Sequence, residues 1–257
     1  MTRFTKAAAA VVTACSLVSA FIYPAIAGDA IPRSTLEQLV ALNPGTTTTD
    51  MIEFMDAAAD RHGVTPAQFA ARSLAEAQAS AEASKPLGSG VSNSAAANGG
   101  ITIHTASATS GTKLGSAAHK GDIFTAPSTT LWIAHGHSGI YSSTTTVVEA
   151  PGLGRVLKKT AASSIYVDPG ARKLSIATTQ ENRNAAADWA ESKVGAGYNL
   201  FFADNKTIED DVYNCSQIIW AAYMKVANLD LDDNGGDSVF PVDLRDSVNA
   251  VSYKLFT

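Results

Sequence analysis

Hydrophobic positions change period along the chain, and the changes divide it. Between residues 34 and 84 apolar side chains recur at helical spacing: Leu36, Leu39 and Val40, then Phe54, Met55 and Ala58, then Phe69 and Leu74. Local signals frame three short helices. Ser34 with Glu37 and Asp50 with Glu53 have capping-box spacing, and Gly63 is a stop. Thr65-Pro66-Ala67-Gln68 opens the third helix with proline at its first position. Residues 85–100, KPLGSGVSNSAAANGG, have nothing to build a core from and predict a flexible linker at a domain boundary. After it the period falls to two. ITIHTA from Ile101, GDIFTA from Gly121, LWIAHGHSGIYSS from Leu131, TTTVVEA to Ala150, SSIYVD and ARKLSIAT read as strands. A helix capped by Thr178 and Glu181 carries Ala185, Trp189 and Ala190 to a stop at Gly195. A second begins at Asn214-Cys215-Ser216 and lines up Ile218, Ile219, Ala222, Tyr223 and Val226 on one stripe. A turn at Pro241–Leu244 and a last strand, AVSYKLF, finish the chain. Strands joined by short turns and flanked by helices predict an α+β fold with a largely antiparallel sheet over 101–257, preceded by a small helical unit at 28–84.

Composition narrows the picture. The chain has 257 residues, 46% of them hydrophobic, which is enough for one large core and an accessory unit. Its net charge is −5, which speaks against nucleic acid or an anionic membrane as partner. Residues 1–27 predict a secretory signal: Arg3 and Lys6, then an apolar run from Ala7 to Tyr23, then Pro24-Ala25-Ile26-Ala27 before Gly28. No other segment is apolar for long enough to span a membrane. Cleavage would remove Cys15 and leave Cys215 as the one cysteine, unpaired in an oxidising compartment.

That isolation makes Cys215 the first candidate for chemistry. Its place in the first turn of a helix exposes it to the positive end of the helix dipole, which favours a thiolate. Taken alone, a free buried cysteine is most often a small hydrophobe. A nucleophile needs a base, and the base needs a partner to orient it. His137 in HGHSGIY is the best placed histidine. If its strand and the one ending at Glu149 form a tight hairpin turning near Ser143, His137 faces Glu149 directly on one side of the sheet. A carboxylate there fixes the imidazole tautomer and stabilises its charged form. A cross-strand His–Glu surface pair unrelated to Cys215 remains the open alternative. Asp230, Asp232, Asn234 and Gly235 follow the opening of a calcium loop, but Pro241 stands at the twelfth position, which favours a solvated acidic turn. His135 and His137 with Cys215 make too small a set for zinc, so no metal or other cofactor is expected. Trp132 and Trp220 read as core aromatics.

GDIFTA, GHSGIY, VVEAPG, GAGYNLFF, YNCSQIIWAAY and FPVDLRDS, taken in that order, closely resemble the YiiX/YebB-like branch of the NlpC/P60 superfamily. That branch is a circularly permuted papain-like group whose histidine strand precedes its cysteine helix. The resemblance covers Gly121 to Ser247 and leaves the helical unit out. It implies Cys215 as nucleophile, His137 as base and acid, Glu149 as orienter, and Tyr198 as the cleft tyrosine of the G-x-x-Y segment. Two positions depart from the common motif: Asn214, where many unpermuted members have Asp, and Gln217, where Gly or Glu is usual. The implied activity is hydrolysis of an amide, with cell-wall peptide or a small amide as substrate. A lipid acyl ester or amide hydrolase or acyltransferase, or a catalytically silent surface-binding module, are the alternatives on the same fold. The oxyanion donors expected are the Cys215 N–H and a neighbour, Tyr213 or His135. The helical unit, which carries no polar constellation, is expected to restrain or position the enzyme without building its active site.

Overall fold

The computed structural model describes residues 30–43, 45–84, 111–130, 133–134 and 136–257. The expected leader and linker, the strand expected at ITIHTA, His135 and Trp132 lie outside the described residues. Three helices come first: α1 (Arg33–Leu42), α2 (Thr48–His62) and α3 (Pro66–Ala83). Gly63 ends α2 in the left-handed conformation at φ 63°, and Thr65 with Gln68 forms the expected capping box. The other two caps differ from expectation. α1 begins after Pro32 with no side-chain cap, and Glu37 pairs with Arg33 at 2.8 Å instead of serving Ser34. α2 begins three residues earlier than expected, because Thr47 is the cap and Asp50 closes its box.

The strands are β1 (Thr112–Lys113), β2 (Ile123–Ala126), β3 (Thr129–Thr130), β4 (Ile133–Ala134), β5 (His137–Ser143), β6 (Thr146–Glu149), β7 (Lys158–Ala161), β8 (Tyr166–Val167), β9 (Arg172–Ile176) and β10 (Ala250–Leu255). Six of them form one antiparallel sheet in the order β10-β9-β2-β5-β6-β7. The fold is α+β. One face of the sheet carries Ile123, Ile140, Val148, Leu174 and Ile176 against α4 (Gln180–Ser192) and α5 (Cys215–Ala227). Each such fully buried aliphatic side chain contributes about 1.5–3 kcal/mol. The other face carries Phe124, Tyr141 and Val147 against Leu114, Ile165 and Phe256. Before β10 stands α6 (Pro241–Asp246), a short helix where a turn was expected.

The β5–β6 hairpin corrects the expected register. Ile140 pairs with Val148 and Tyr141 with Val147, and an irregularity follows before Ser143 pairs with Thr146. The turn falls at Thr144-Thr145, and the ladder is displaced by two residues from the one that would put His137 directly opposite Glu149. A shift of two keeps every side chain on its face, because the strand period is two. Continued to the next pair, the ladder sets Glu149 across from Gly139. A Cβ at 139 would stand 2.6 Å from the Phe124 ring and 2.7 Å from Val147 Cγ1. Glycine there leaves room for Phe124, and the His137 ring meets that phenylalanine edge-on at 5.6 Å.

Candidate active site

Asn214 and Gln217 start α5 by capping each other. Asn214 Oδ1 accepts from Gln217 N at 2.9 Å, and Gln217 Oε1 accepts from Asn214 N at 3.3 Å. Gln217 Oε1 also accepts from Asn199 at 2.9 Å, so the segment after Tyr198 is tied to the same cap. Asn214 and Gln217 therefore form one structural unit. It places Cys215 at the first helical position, 5% exposed, with a first-turn N–H that has no carbonyl of its own helix to bond.

The thiol meets the start of β5, where the His137 imidazole and Ser138 both act on its charge. His137 and Ser138 point to opposite faces of their strand, and the thiol reaches both because it lies at the strand's end. The Ser138 hydroxyl is buried without a well-aligned partner, so it can turn its proton toward a thiolate. His137 Nε2 lies 3.0 Å from Glu149 Oε2, which leaves Nδ1 for the sulfur. Glu149 reaches it diagonally across the ladder. Its other oxygen accepts from Thr160 Oγ1 at 2.6 Å and lies 3.6 Å from Lys158 Nζ.

Burial opposes charge on all three groups, and their mutual contacts outweigh it. Desolvation by itself pushes His137 down, but the hydrogen bonds and charges of Cys215 and Glu149 raise it to about 10. Desolvation pushes the thiol up, yet His137 and Ser138 bring it below its ordinary value. Glu149 is likewise lowered against its burial, by His137, Thr160 and Lys158. All three directions favour a thiolate–imidazolium pair backed by a carboxylate.

Tyr198 packs at the edge of the core beside this group. Burial first, and the nearby thiolate second, push its hydroxyl up. Tyr213 is placed differently from expectation. Its single O–H proton goes to Ile208 O at 3.0 Å, and its oxygen accepts from Asp210 N at 2.8 Å. With the ring buried against Trp189, Tyr213 cannot donate to an oxyanion and is a strut of the 208–213 loop. Ser138, Thr160 and Lys158 went unnoticed in the sequence, and only Lys158, paired with Glu149 across β6 and β7, leaves a trace there as a charge at a strand start. Among the described residues no group of three or more His, Cys, Asp or Glu could hold a metal ion. The acidic loop is not wholly solvated. Asp232 is buried and ion-paired with Lys206, and Asp230 accepts from Trp220 Nε1 at 2.8 Å.

No family model matches the chain. It is 32% identical over 213 residues to the uncharacterized protein YycO of Bacillus subtilis (strain 168), a match covering 82% of each chain. Among solved structures, that of metalloprotein yiiX from Escherichia coli O157:H7, DUF1105, matches with a TM-score of 0.38 at 14% identity. It covers 53% of this chain and 97% of that one. Among the described residues no helix is long and apolar enough to cross a membrane.

Proposed function

The chain belongs to the family of Bacillus subtilis YycO, and within it we propose that this protein is a cysteine hydrolase that cleaves an amide bond through a thioester on Cys215. The observation that carries this reading is the buried series Cys215–His137–Glu149, with the thiol lowered and the imidazole raised. In the proposed cycle the thiolate attacks the carbonyl carbon and its C–N bond breaks. The imidazolium gives its proton to the departing nitrogen, and His137 then takes a proton from the water that hydrolyses the thioester. Glu149 holds the ring and stabilises its charge in both halves. The Cys215 N–H supplies one oxyanion donor, and the Ser138 hydroxyl relaxes toward the sulfur while it is anionic.

The wider reading follows from the motif order. β5 precedes α5, as a permuted papain-like domain of the NlpC/P60 type requires, and residues 1–27 are taken as a cleaved leader that sends the protein to the cell surface or beyond. Peptide of the cell wall is then the substrate in reach. Two experiments test this. A thiol-directed probe at pH 5 should label Cys215, since an ordinary thiol is protonated there. Mass analysis of peptidoglycan after incubation should then show a cleaved peptide with a new carboxyl end. A protein that resists the probe at pH 5 is no cysteine hydrolase, and one that is labelled but leaves peptidoglycan whole has another amide as substrate.

A further inference from the structure

A half-buried carboxylate outside this site belongs to the helical unit and reaches the anchor of the nucleophile helix. Glu76 of α3 accepts from the Ser238 N–H at 3.0 Å. It lies so close to Gly236 that a Cβ there would stand 2.0 Å from its Oε1. The next residue, Val239, is held by Asn205 through both its N–H (2.7 Å) and its carbonyl (3.0 Å). That same carbonyl accepts from Ser216 Oγ at 2.7 Å. Ser216 is buried and directly follows Cys215. On α3 the neighbour of Glu76, Ala77, packs on Phe240 and Val242. The path from α3 to the first turn of α5 is thus a run of short hydrogen bonds through 238–239 with apolar packing beside it.

We propose that Glu76 is a positioning residue for the nucleophile: acting through Ser238 and Val239, it holds the first turn of α5, so the helical unit supports the active site and does not cover it. The inference rests on the reading of Cys215 as nucleophile. The docking surface is broader than this contact. Phe54 of α2 stacks on Phe201 at 3.9 Å, Ala203 sits in the core of the helical unit, and Asn43 Oδ1 accepts from Phe202 N at 3.1 Å. The helices therefore also hold the segment that follows Tyr198.

Charge around Glu76 supplies a readout. Arg72 of α3 pairs with Asp237 at 3.0 Å, and His62 of α2 lies 3.5 Å from Asp237 and 2.8 Å from Asp204, which Arg61 also contacts. Lys206 pairs with Asp232 and donates to Gly236 O at 2.7 Å. Asp243 accepts from Phe240 N at 2.7 Å and from Asn234 at 2.9 Å. Burial, with the charges of Asp237, Asp232 and Asp243 outweighing the Ser238 N–H, raises Glu76 to about 7. The docked helix thus favours the protonated acid. Its contribution to docking is complete below the ordinary carboxylate range and is lost as pH rises to about 7.

The test uses the full chain and needs no substrate: alkylation of Cys215 by iodoacetamide from pH 5 to pH 9, with thermal melting measured in parallel. Glu76→Ala should move the acid limb of the alkylation profile up by about one pH unit, a loss of about tenfold in rate low on that limb. Glu76→Gln keeps an acceptor for Ser238. It should restore the limb and lessen the fall in melting temperature that the wild type shows up to pH 7, leaving the share of Asp243, whose carboxyl burial also raises to about 7. If the wild type itself is alkylated no faster at pH 5 than a free thiol, the nucleophile reading fails and this inference with it. If the wild type is labelled and folded Glu76→Ala gives the same profile, only the positioning role is overturned. Should Glu76→Ala not fold, Ser216→Ala cuts the same path at its other end, and an unchanged profile there overturns the proposal.

Discussion

Glu149→Gln keeps the size of the side chain and removes its charge, at a position 1% exposed. The carboxylate and imidazole stand 3.0 Å apart with side-chain exposures of 1% and 5%, so solvent hardly screens them. A hydrogen bond to a charged group is worth about 1.5–3 kcal/mol, which corresponds to about one to two pH units on the partner. The imidazolium should therefore lose its proton about one to two units below its present value near 10. A weaker imidazolium holds the thiolate less well, so the acid limb of the alkylation profile should rise while the alkaline limb falls. The active window narrows from both sides, and the rate at its optimum should drop about ten- to a hundredfold. Stability should follow the same pair. His137 is raised, so its share is full below 6.5 and lost as pH rises through about 10. Glu149 is lowered, so its share is full above 4.5 and lost in acid. The melting difference between wild type and variant should be widest between pH 4.5 and 6.5 and close above pH 10. Stopped alkylation quantified by mass spectrometry, with melting by circular dichroism, reads both. Profiles and melting curves that superimpose on the wild type would refute the reasoning.

Cys215→Ala should melt close to the wild type and release no peptide from peptidoglycan, because a methyl replaces a thiol in a first helical turn with little repacking. Cys215→Ser should be nearly as inactive, and His137→Ala should cost almost as much, since base and nucleophile act as one unit. Tyr213→Phe should leave alkylation unchanged but lower stability by about 1–3 kcal/mol, as the Asp210 N–H and Ile208 carbonyl lose their partner. A loss of alkylation with normal melting would return Tyr213 to the site. Gly139→Ala should cost about 1–3 kcal/mol by driving a methyl into Phe124 and Val147, and should lower the alkylation rate by displacing the ring beside His137.

Signals spanning four residues or fewer determined the parts of the fold that the sequence made legible. The Thr65–Gln68 box, the left-handed Gly63 and the first turn of α5 are each closed by side chains and backbone within one turn. Cys215 in a first turn follows from the same local chemistry, and the family resemblance rests on longer motifs taken in their order along the chain. Local rules misfired where two neighbouring readings were both open to the sequence. Thr47 took the cap that the spacing of Asp50 and Glu53 suggested one turn later, and a two-residue turn at Thr144-Thr145 moved the hairpin register by two. The His137–Glu149 contact survived that shift because strand parity is blind to even displacements. What brings Cys215 to His137 is tertiary: the packing of α5 across one sheet face sets the thiol at the end of β5. Thr160 behind Glu149, Ser138 beside the sulfur and Glu76 behind Ser216 were decided there as well. A threonine, a serine or a glutamate carries no periodicity of its own. Its partner is chosen only when strands pair and helices dock, over separations along the chain that no local pattern encodes.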